Sequence, residues 1–252
     1  GDGSVHEVAN GLLRAREAGF TQAALGIIGR GTGGDLCRSL GIEHRLDRYL
    51  STIAARHRRM IDVGRFSYER ATGGRDTAFF INILSAGLGG LVDSYVHRHA
   101  RWAGGKMGYF LASAEALLKS EVAVLKARIE HDGAVREAEI TTRQIAVCNG
   151  RYFGSGMFVA PMADLDDGAF EVIDLGKASK LSFALAGSAI YSGKHLQNPE
   201  VSHFACQKIS LEVMNERARP TFLLDVDGEA LGTPPIEIEL MKRALPVLVP
   251  PE

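Results

Sequence analysis

Cysteine is scarce. Three residues, Cys37, Cys148 and Cys206, lie far apart in a chain of 252. That spacing excludes a disulfide framework and a zinc knuckle and points to a reducing cytoplasm. A charge excess is lacking too: 29 Lys and Arg against 30 Asp and Glu give a formal net charge of −1. Bulk nucleic-acid binding, which needs clustered surplus Lys and Arg, is therefore excluded. The one dense basic run, "RHRRM" from Arg56 to Met60, reads either as a solvated helix end or as a contact for phosphate or anionic lipid. Long apolar runs are absent as well. The longest stretch, "AFFINILSAGLGGLV", is interrupted by Asn82, Ser85 and glycines, so it reads as a buried strand and turn rather than a bilayer span. No basic–apolar–small leader pattern is read at the start. A G-x-S-x-G elbow and a GxxxxGK[ST] loop are both missing.

What remains is an ordinary globular composition, 46% hydrophobic and 23% charged, long enough for one large domain or two small ones. Residues 1–60 read as helical or α/β. Val5, Val8, Leu12 and Ala15 recur at helical spacing behind a Ser4–Glu7 capping box. "AALGII" reads as a short buried strand, Asp35 caps a short helix to Leu40, and a further helix fits Glu43 to Arg58. After Arg59 the texture changes to strands: "MIDVGRFSY", "TAFFINIL", "VAVLKARIE", "VREAEI", "RQIAVCN", "GMFVAP", "AFEVIDL", "KISLEVM", "TFLLDVD", "IEIELM" and "LPVLVP". Only two helices interrupt them, Gly108 to Ser120 and Lys180 to Tyr191. So many strands exclude a helix-wrapped parallel sheet. The expected fold is α/β plus β: an N-terminal α/β domain at 1–60, then an antiparallel β-sandwich with two helices at 61–252.

Four stretches can carry chemistry. In "GDGSVHE" glycines let the backbone approach a ligand closely, and a helix N-terminus offers free N–H groups. That suits a phosphate; a capped helix after a tight turn is the plain alternative. In "GIIGRGTGGD", Gly29, Gly31 and Gly34 satisfy G-x-G-x-x-G, yet the second strand with its acid about twenty residues on is missing. A second phosphate-facing loop on the same site is more economical. In "ADLDDGAF", Asp164, Asp166 and Asp167 are hard oxygens suited to Mg²⁺ or Ca²⁺, or an Asp-Gly turn. In "LLDVDGEAL", Asp227 and Glu229 stand two apart on a strand and so share a face. Such carboxylates can take a hydroxyl proton or hold a metal, although Asp-Gly is also a hairpin signal. His97 and His99 have no further ligands nearby in sequence and read as surface residues.

The order of these signals is more telling than any one. "GDGS-x-x-E-x-x-NGL", "GTG-x-D", "IDVGR", "FFINILSAGLGG", "NG-x(3)-GSGM-x-VAP-x-A-x-LDDG" and "DVDGE" follow one another across the whole chain. This series resembles the diacylglycerol kinase catalytic-domain family of bacterial lipid kinases, which is related to sphingosine kinases. The resemblance implies a kinase that moves the γ-phosphate of ATP to a lipid hydroxyl with Mg²⁺. It implies that Gly1, Asp2, Gly3, Ser4, Val5 and His6, with Gly31, Thr32 and Gly33, cradle ATP phosphates. It implies a structural Mg²⁺ at Asp164, Asp167 and the carbonyl of Ala169, and catalysis by Asp227 and Glu229. Ser4 stands for the family's Thr; Gly29 and Gly34 stand for its Pro and Asn. The family's first strand–loop–helix units precede the position matched by Gly1, so the expectation is a truncated nucleotide-binding domain, and weak ATP binding for these 252 residues alone. The expected partner is a lipid substrate at the inner membrane surface, not nucleic acid, with a homodimer left open. A kinase of a soluble hydroxyl, as in NAD kinases, and a non-catalytic nucleotide-binding remnant are the alternatives.

Overall fold

In the computed structural model the described residues are 1–251 except Thr32, Ala71, Thr72 and Gly104. The chain begins with α1 (Asp2–Glu17), which buries His6, Ala9 and Leu13 along one face. Gly1 is its N-cap and no side chain caps it, so Ser4 lies inside the helix and the expected capping box does not form. The short α2 (Asp35–Ser39) and α3 (Leu46–Ala55) follow. Between them and α1 the "AALGII" stretch makes no full strand. Leu25 forms one parallel bridge to Val247 near the far end of the chain. Its N–H donates to the Pro246 carbonyl at 2.8 Å, and its own carbonyl accepts from Leu248 at 2.8 Å.

The rest is two antiparallel sheets face to face. The strands are β1 (Arg58–Glu69), β2 (Arg75–Phe80), β3 (Ile83–Gly87), β4 (Ala123–His131), β5 (Ala134–Thr142), β6 (Gln144–Cys148), β7 (Tyr152–Phe153), β8 (Met157–Phe158), β9 (Phe170–Asp174), β10 (Ser202–Cys206), β11 (Lys208–Val213), β12 (Leu223–Val226), β13 (Glu229–Ala230) and β14 (Thr233–Leu248). One sheet runs β2-β1-β14-β11-β4-β5, the other β10-β9-β6-β3-β12-β13, and β7-β8 is a separate small ribbon. Alternation decides which face is inside. On β4, Ala123, Leu125, Ala127 and Ile129 turn into the core while Lys126 and Arg128 turn out. They meet Leu84, Ile145, Phe170 and Val226 of the opposing sheet. The two central strands β3 and β6 are buried on both faces, which is why their sequences are apolar without a polar alternation.

Three α-helices accompany the sandwich: α4 (Leu88–Ala103), α5 (Gly105–Lys119) and α6 (Lys180–Ala186). The first departs from expectation, because "AGLGGLV" reads as a strand and turn. Its glycines are there for close approach. A Cβ on Gly90 would stand 2.4 Å from the Leu223 carbonyl, and one on Gly87, at φ 113°, 2.3 Å from that of Arg143. The helix thus starts backbone-to-backbone against β12, where no side chain fits. A second apolar cluster joins α1, α2 and α3 to the sandwich, with Leu13, Leu25, Leu36 and Tyr49 against Ile61, Val63, Phe79, Leu245 and Val247. The first and last long strands therefore hold residues 1–57 in place. Among the described residues no helix is long and apolar enough to cross a membrane.

Candidate active site

Two glycine-rich segments meet at the start of α1. The Asp2 carboxylate accepts the Gly34 N–H at 2.9 Å. A Cβ on Gly33 would lie 2.0 Å from that carboxylate, and one on Gly31 would lie 2.8 Å from the Gly1 Cα. Only glycine permits this contact, so the two segments lie directly against each other. They line a cleft of ≈ 190 Å³ together with Ser4, Val5, Val8, Ile28 and His44. Val8 and Ile28 are half exposed there, giving the cleft an apolar side beside the backbone amides. Thr32, expected to join them, lies outside the described residues. Just beyond, Asp35 is buried, accepting from Arg38 at 2.5 Å and from the Ser155 N–H at 2.8 Å. Burial raises its pKa, against the pull of these donors.

The "DGE" segment does not present two carboxylates side by side. Asp227 and Gly228, at φ 52° and 91°, form the two-residue turn of the β12–β13 hairpin. A tight turn between them sends the carboxylates in different directions. Asp227 points inward, 7% exposed. Its Oδ1 accepts the N–H groups of Asn82 and Ile83 at 3.0 Å each, and its Oδ2 that of Ile81 at 3.0 Å. His6 Nδ1 completes the set at 2.9 Å. A carboxylate so engaged is a structural tie: it closes the β2–β3 kink, and those four partners offset the left-handed backbone it must adopt.

Glu229 is exposed and reaches the other way. Its Oε1 sits over Gly3, 2.2 Å from where a Cβ on that residue would be. The carboxylate thus stands at the first turn of α1, beside the glycine loops, with no hydrogen-bond partner among the described residues.

His6 and Asn10 show how α1 is held. One turn after His6, Asn10 donates to the Phe79 carbonyl at 2.9 Å and accepts its N–H at 3.0 Å. The expectation placed His6 among the phosphate contacts; its side chain instead turns away, buried against Asp227. Burial opposes a charge on it, but the hydrogen bond and charge of Asp227, with Glu229 behind, raise its pKa above the usual histidine value. Asn10 belongs to the quoted "NGL", yet nothing in its spacing distinguishes a clasp from a helix surface amide.

A further pair of carboxyl groups escaped the sequence reading. Asp225 on β12 accepts the Gly228 N–H at 2.9 Å and the Ser85 hydroxyl at 3.4 Å, and it hydrogen-bonds Asp93 on α4. Burial, and then the charge of Asp225, push Asp93 up to about 9; burial pushes Asp225 up to about 6, helped by the charge of Asp227 and opposed by its hydrogen bonds with Gly228, Asp93 and Ser85. The pair holds one proton between them at neutral pH. Asp93 was missed because its helix was read as a turn, and Asp225 because it precedes the more conspicuous Asp-Gly-Glu.

The acidic loop is arranged differently from a cation cage. Arg59 reaches both Asp164 and, at 2.5 Å, Asp166. Asp167 accepts the N–H of Ala169 at 3.0 Å, closing its own turn. Its pKa is raised, first by burial and then by the neighbouring acids. Among the described residues no group of three or more His, Cys, Asp or Glu side chains is placed to hold a metal ion. Arg59 thus pairs with Asp164, one of the three expected Mg²⁺ ligands, and supplies positive charge at that side chain; among the described residues it makes no ion pair with Asp167.

Residues 1–66 match the diacylglycerol kinase catalytic domain, and residues 82–249 match the YegS C-terminal NAD kinase beta sandwich-like domain. A diacylglycerol kinase of Bacillus subtilis (strain 168) is 26% identical over 253 residues, covering 100% of this chain and 76% of that protein. One of Staphylococcus haemolyticus (strain JCSC1435) is 26% identical over 250 residues, covering 99% and 69%. The crystal structure of a diacylglycerol kinase from Bacillus anthracis str. Sterne superposes with a TM-score of 0.64 at 20% identity, over 100% of this chain and 74% of that one, and so shares the fold. With one domain match taking in the N-terminal helices and most of β1 and the other covering more than half the residues, the chain belongs to the family that joins a diacylglycerol kinase catalytic domain to a YegS-type C-terminal sandwich.

Proposed function

We propose that this protein is an ATP-dependent lipid kinase whose base is Glu229 and whose acceptor is the hydroxyl of diacylglycerol or a related lipid. One observation carries the reading: the free carboxylate of Glu229 stands on the helix turn that adjoins both glycine loops. A helix N-terminus and glycine-loop amides suit the phosphates of the donor. A carboxylate beside them can take the proton of an acceptor hydroxyl. The oxygen then bonds to the γ-phosphorus, the bond to the β-phosphate oxygen breaks, and ADP leaves. Mg²⁺ bound with the nucleotide would neutralise charge on the phosphoryl group as it moves. Asp227 is a positioning residue that ties the hairpin carrying Glu229 to α1 through His6. The 26% identity to proteins named diacylglycerol kinase supports the acceptor class. Its site of action would be the cytoplasmic membrane surface, where such a lipid is found.

The test is phosphoryl transfer from labelled ATP to a panel of diacylglycerol, ceramide, sphingosine and phosphatidylglycerol in mixed micelles. Lipid-dependent turnover supports the reading. Turnover of a soluble hydroxyl substrate without lipid would favour the NAD-kinase-like alternative, and ADP binding with no transfer to any acceptor would favour a regulatory remnant.

A further inference from the structure

A second cleft, of ≈ 440 Å³, lies away from the glycine loops and is lined by His57, Arg58, Arg59, Asp166 and Arg243, with apolar neighbours including Met60. It opens where β1 leaves the N-terminal helices and β14 returns to them. Three guanidinium groups face one carboxylate in a protein whose net charge is −1. Arg59 is already paired with Asp164 and Asp166. Arg58 and Arg243 make no ion pair among the described residues, so their charge is available to a ligand.

Arg243 is held there by the backbone. The pairing of β1 with β14 shifts register between Ile61 and Val63, so the β14 residues around 243 bulge. Arg243 adopts φ 48°, a left-handed conformation that a non-glycine residue takes at a cost. Its N–H is held at 2.6 Å by Oδ1 of Asp62, which is 0% exposed, and Oδ2 of Asp62 holds the Gly168 N–H at 2.8 Å. Bulges re-aim side chains; this one presents a guanidinium to the cleft, fixed to the same buried carboxylate as the acidic loop.

We infer that this cleft is a binding site for a phosphate monoester, held by the forked donors of Arg58 and Arg243 beside Arg59. Planar guanidinium forks match phosphate oxygens two at a time. The cavity is several times the size of a phosphate group, so it admits the organic part of an ester. The lining brings β1, through Arg58 and Met60, beside the acidic loop at Asp166 and the β14 bulge at Arg243, so a bound phosphate bridges these three segments. A free phosphate and the phosphomonoester headgroup of a lipid share this chemistry.

Two arms distinguish the sources. In the first, inorganic phosphate is titrated into the protein while the Arg Nε–H resonances of Arg58 and Arg243 are followed, which keeps binding at the glycine loops separate. In the second, the protein is sedimented with phosphatidylcholine vesicles with and without phosphatidic acid. Arg58→Gln followed at Arg243, and Arg243→Gln followed at Arg58, should each weaken the phosphate response, and the double substitution should weaken vesicle binding about tenfold or more, since each charged hydrogen bond lost is a large fraction of a decade or above. Asp166→Asn should strengthen it, because a competing carboxylate is removed and Arg59 is partly released. Resonance shifts in the first arm assign a free phosphate. Binding only in the second, with the same dependence on both arginines, assigns the lipid headgroup. Resonances that stay fixed together with vesicle binding indifferent to the double substitution would overturn the proposal, and leaves the lipid kinase reading untouched.

Discussion

Asp227→Asn separates a structural carboxylate from a catalytic one. The parent side chain accepts four hydrogen bonds, from three consecutive backbone N–H groups and from His6. An asparagine keeps one oxygen. Placed as Oδ1, it still serves Asn82 and Ile83, but the amide nitrogen then faces the Ile81 N–H and the His6 ring as a donor. Two buried donors lose a charged acceptor. At about 1.5–3 kcal/mol for each hydrogen bond to a charged group, the loss is about 3–6 kcal/mol. For a chain of this size that lowers Tm by about 6–24 °C. Differential scanning calorimetry of the variant beside Glu229→Gln is the assay. The exposed Glu229 should change stability by no more than about 0.5 kcal/mol when its charge is removed. If Asp227→Asn melts with the parent, the three amides and His6 are not held by this carboxylate, and the assignment of a tying role to it is wrong.

Other perturbations follow from the same geometry. Gly3→Ala places a Cβ 2.2 Å from the Glu229 Oε1; the flexible carboxylate should swing aside, cutting kcat by about tenfold or more while Tm holds, and unchanged kinetics would show that its position over α1 is immaterial. The Asp93–Asp225 pair keeps a proton that the unfolded chain releases near the ordinary carboxylate value. Folded stability should therefore fall as pH rises from about 4 towards about 9, and Asp93→Asn should flatten that slope in urea melts; an equal slope in both proteins counts against a shared proton. Arg59→Gln opens the acidic loop, so added Mg²⁺ should raise the Tm of this variant and leave the parent unmoved apart from nucleotide effects. A parent that gains as much as the variant would mean that Arg59 does not stand in for the cation.

The sandwich was legible because its strands alternate or run apolar at lengths only a β-structure uses, as "VAVLKARIE" shows. The helix at Leu88–Ala103 was not. Gly87, Gly89 and Gly90 carry a low helix propensity, and their reason, close approach to the Arg143 carbonyl, the Ser85 hydroxyl and the Leu223 carbonyl in turn, exists only in three dimensions. The Ser4 capping box was legible and misleading: Ser4 and Glu7 have the right spacing, but the helix starts earlier at Gly1. At the candidate site, the meeting of the two glycine loops was the economical reading of two glycine-rich motifs once the dinucleotide pattern failed. The roles of Asp227 and Glu229 did not, since two residues on one strand share a face only if no turn falls between them. Here Asp227 and Gly228 are the turn. Asn10 and Arg59 act through partners 69 and 107 positions away, and Asp93 through Asp225 on a distant strand, separations no local spacing encodes.

The central claim is that Glu229 receives the proton of a lipid hydroxyl during transfer from ATP. It is tested most directly by the rate at which the full-length protein passes the labelled γ-phosphate of ATP to diacylglycerol in mixed micelles, parent against Glu229→Gln. The account predicts lipid-dependent transfer by the parent and a fall in kcat of about two orders of magnitude or more in the variant, with Tm unchanged. Transfer by Glu229→Gln at the parental rate would contradict it.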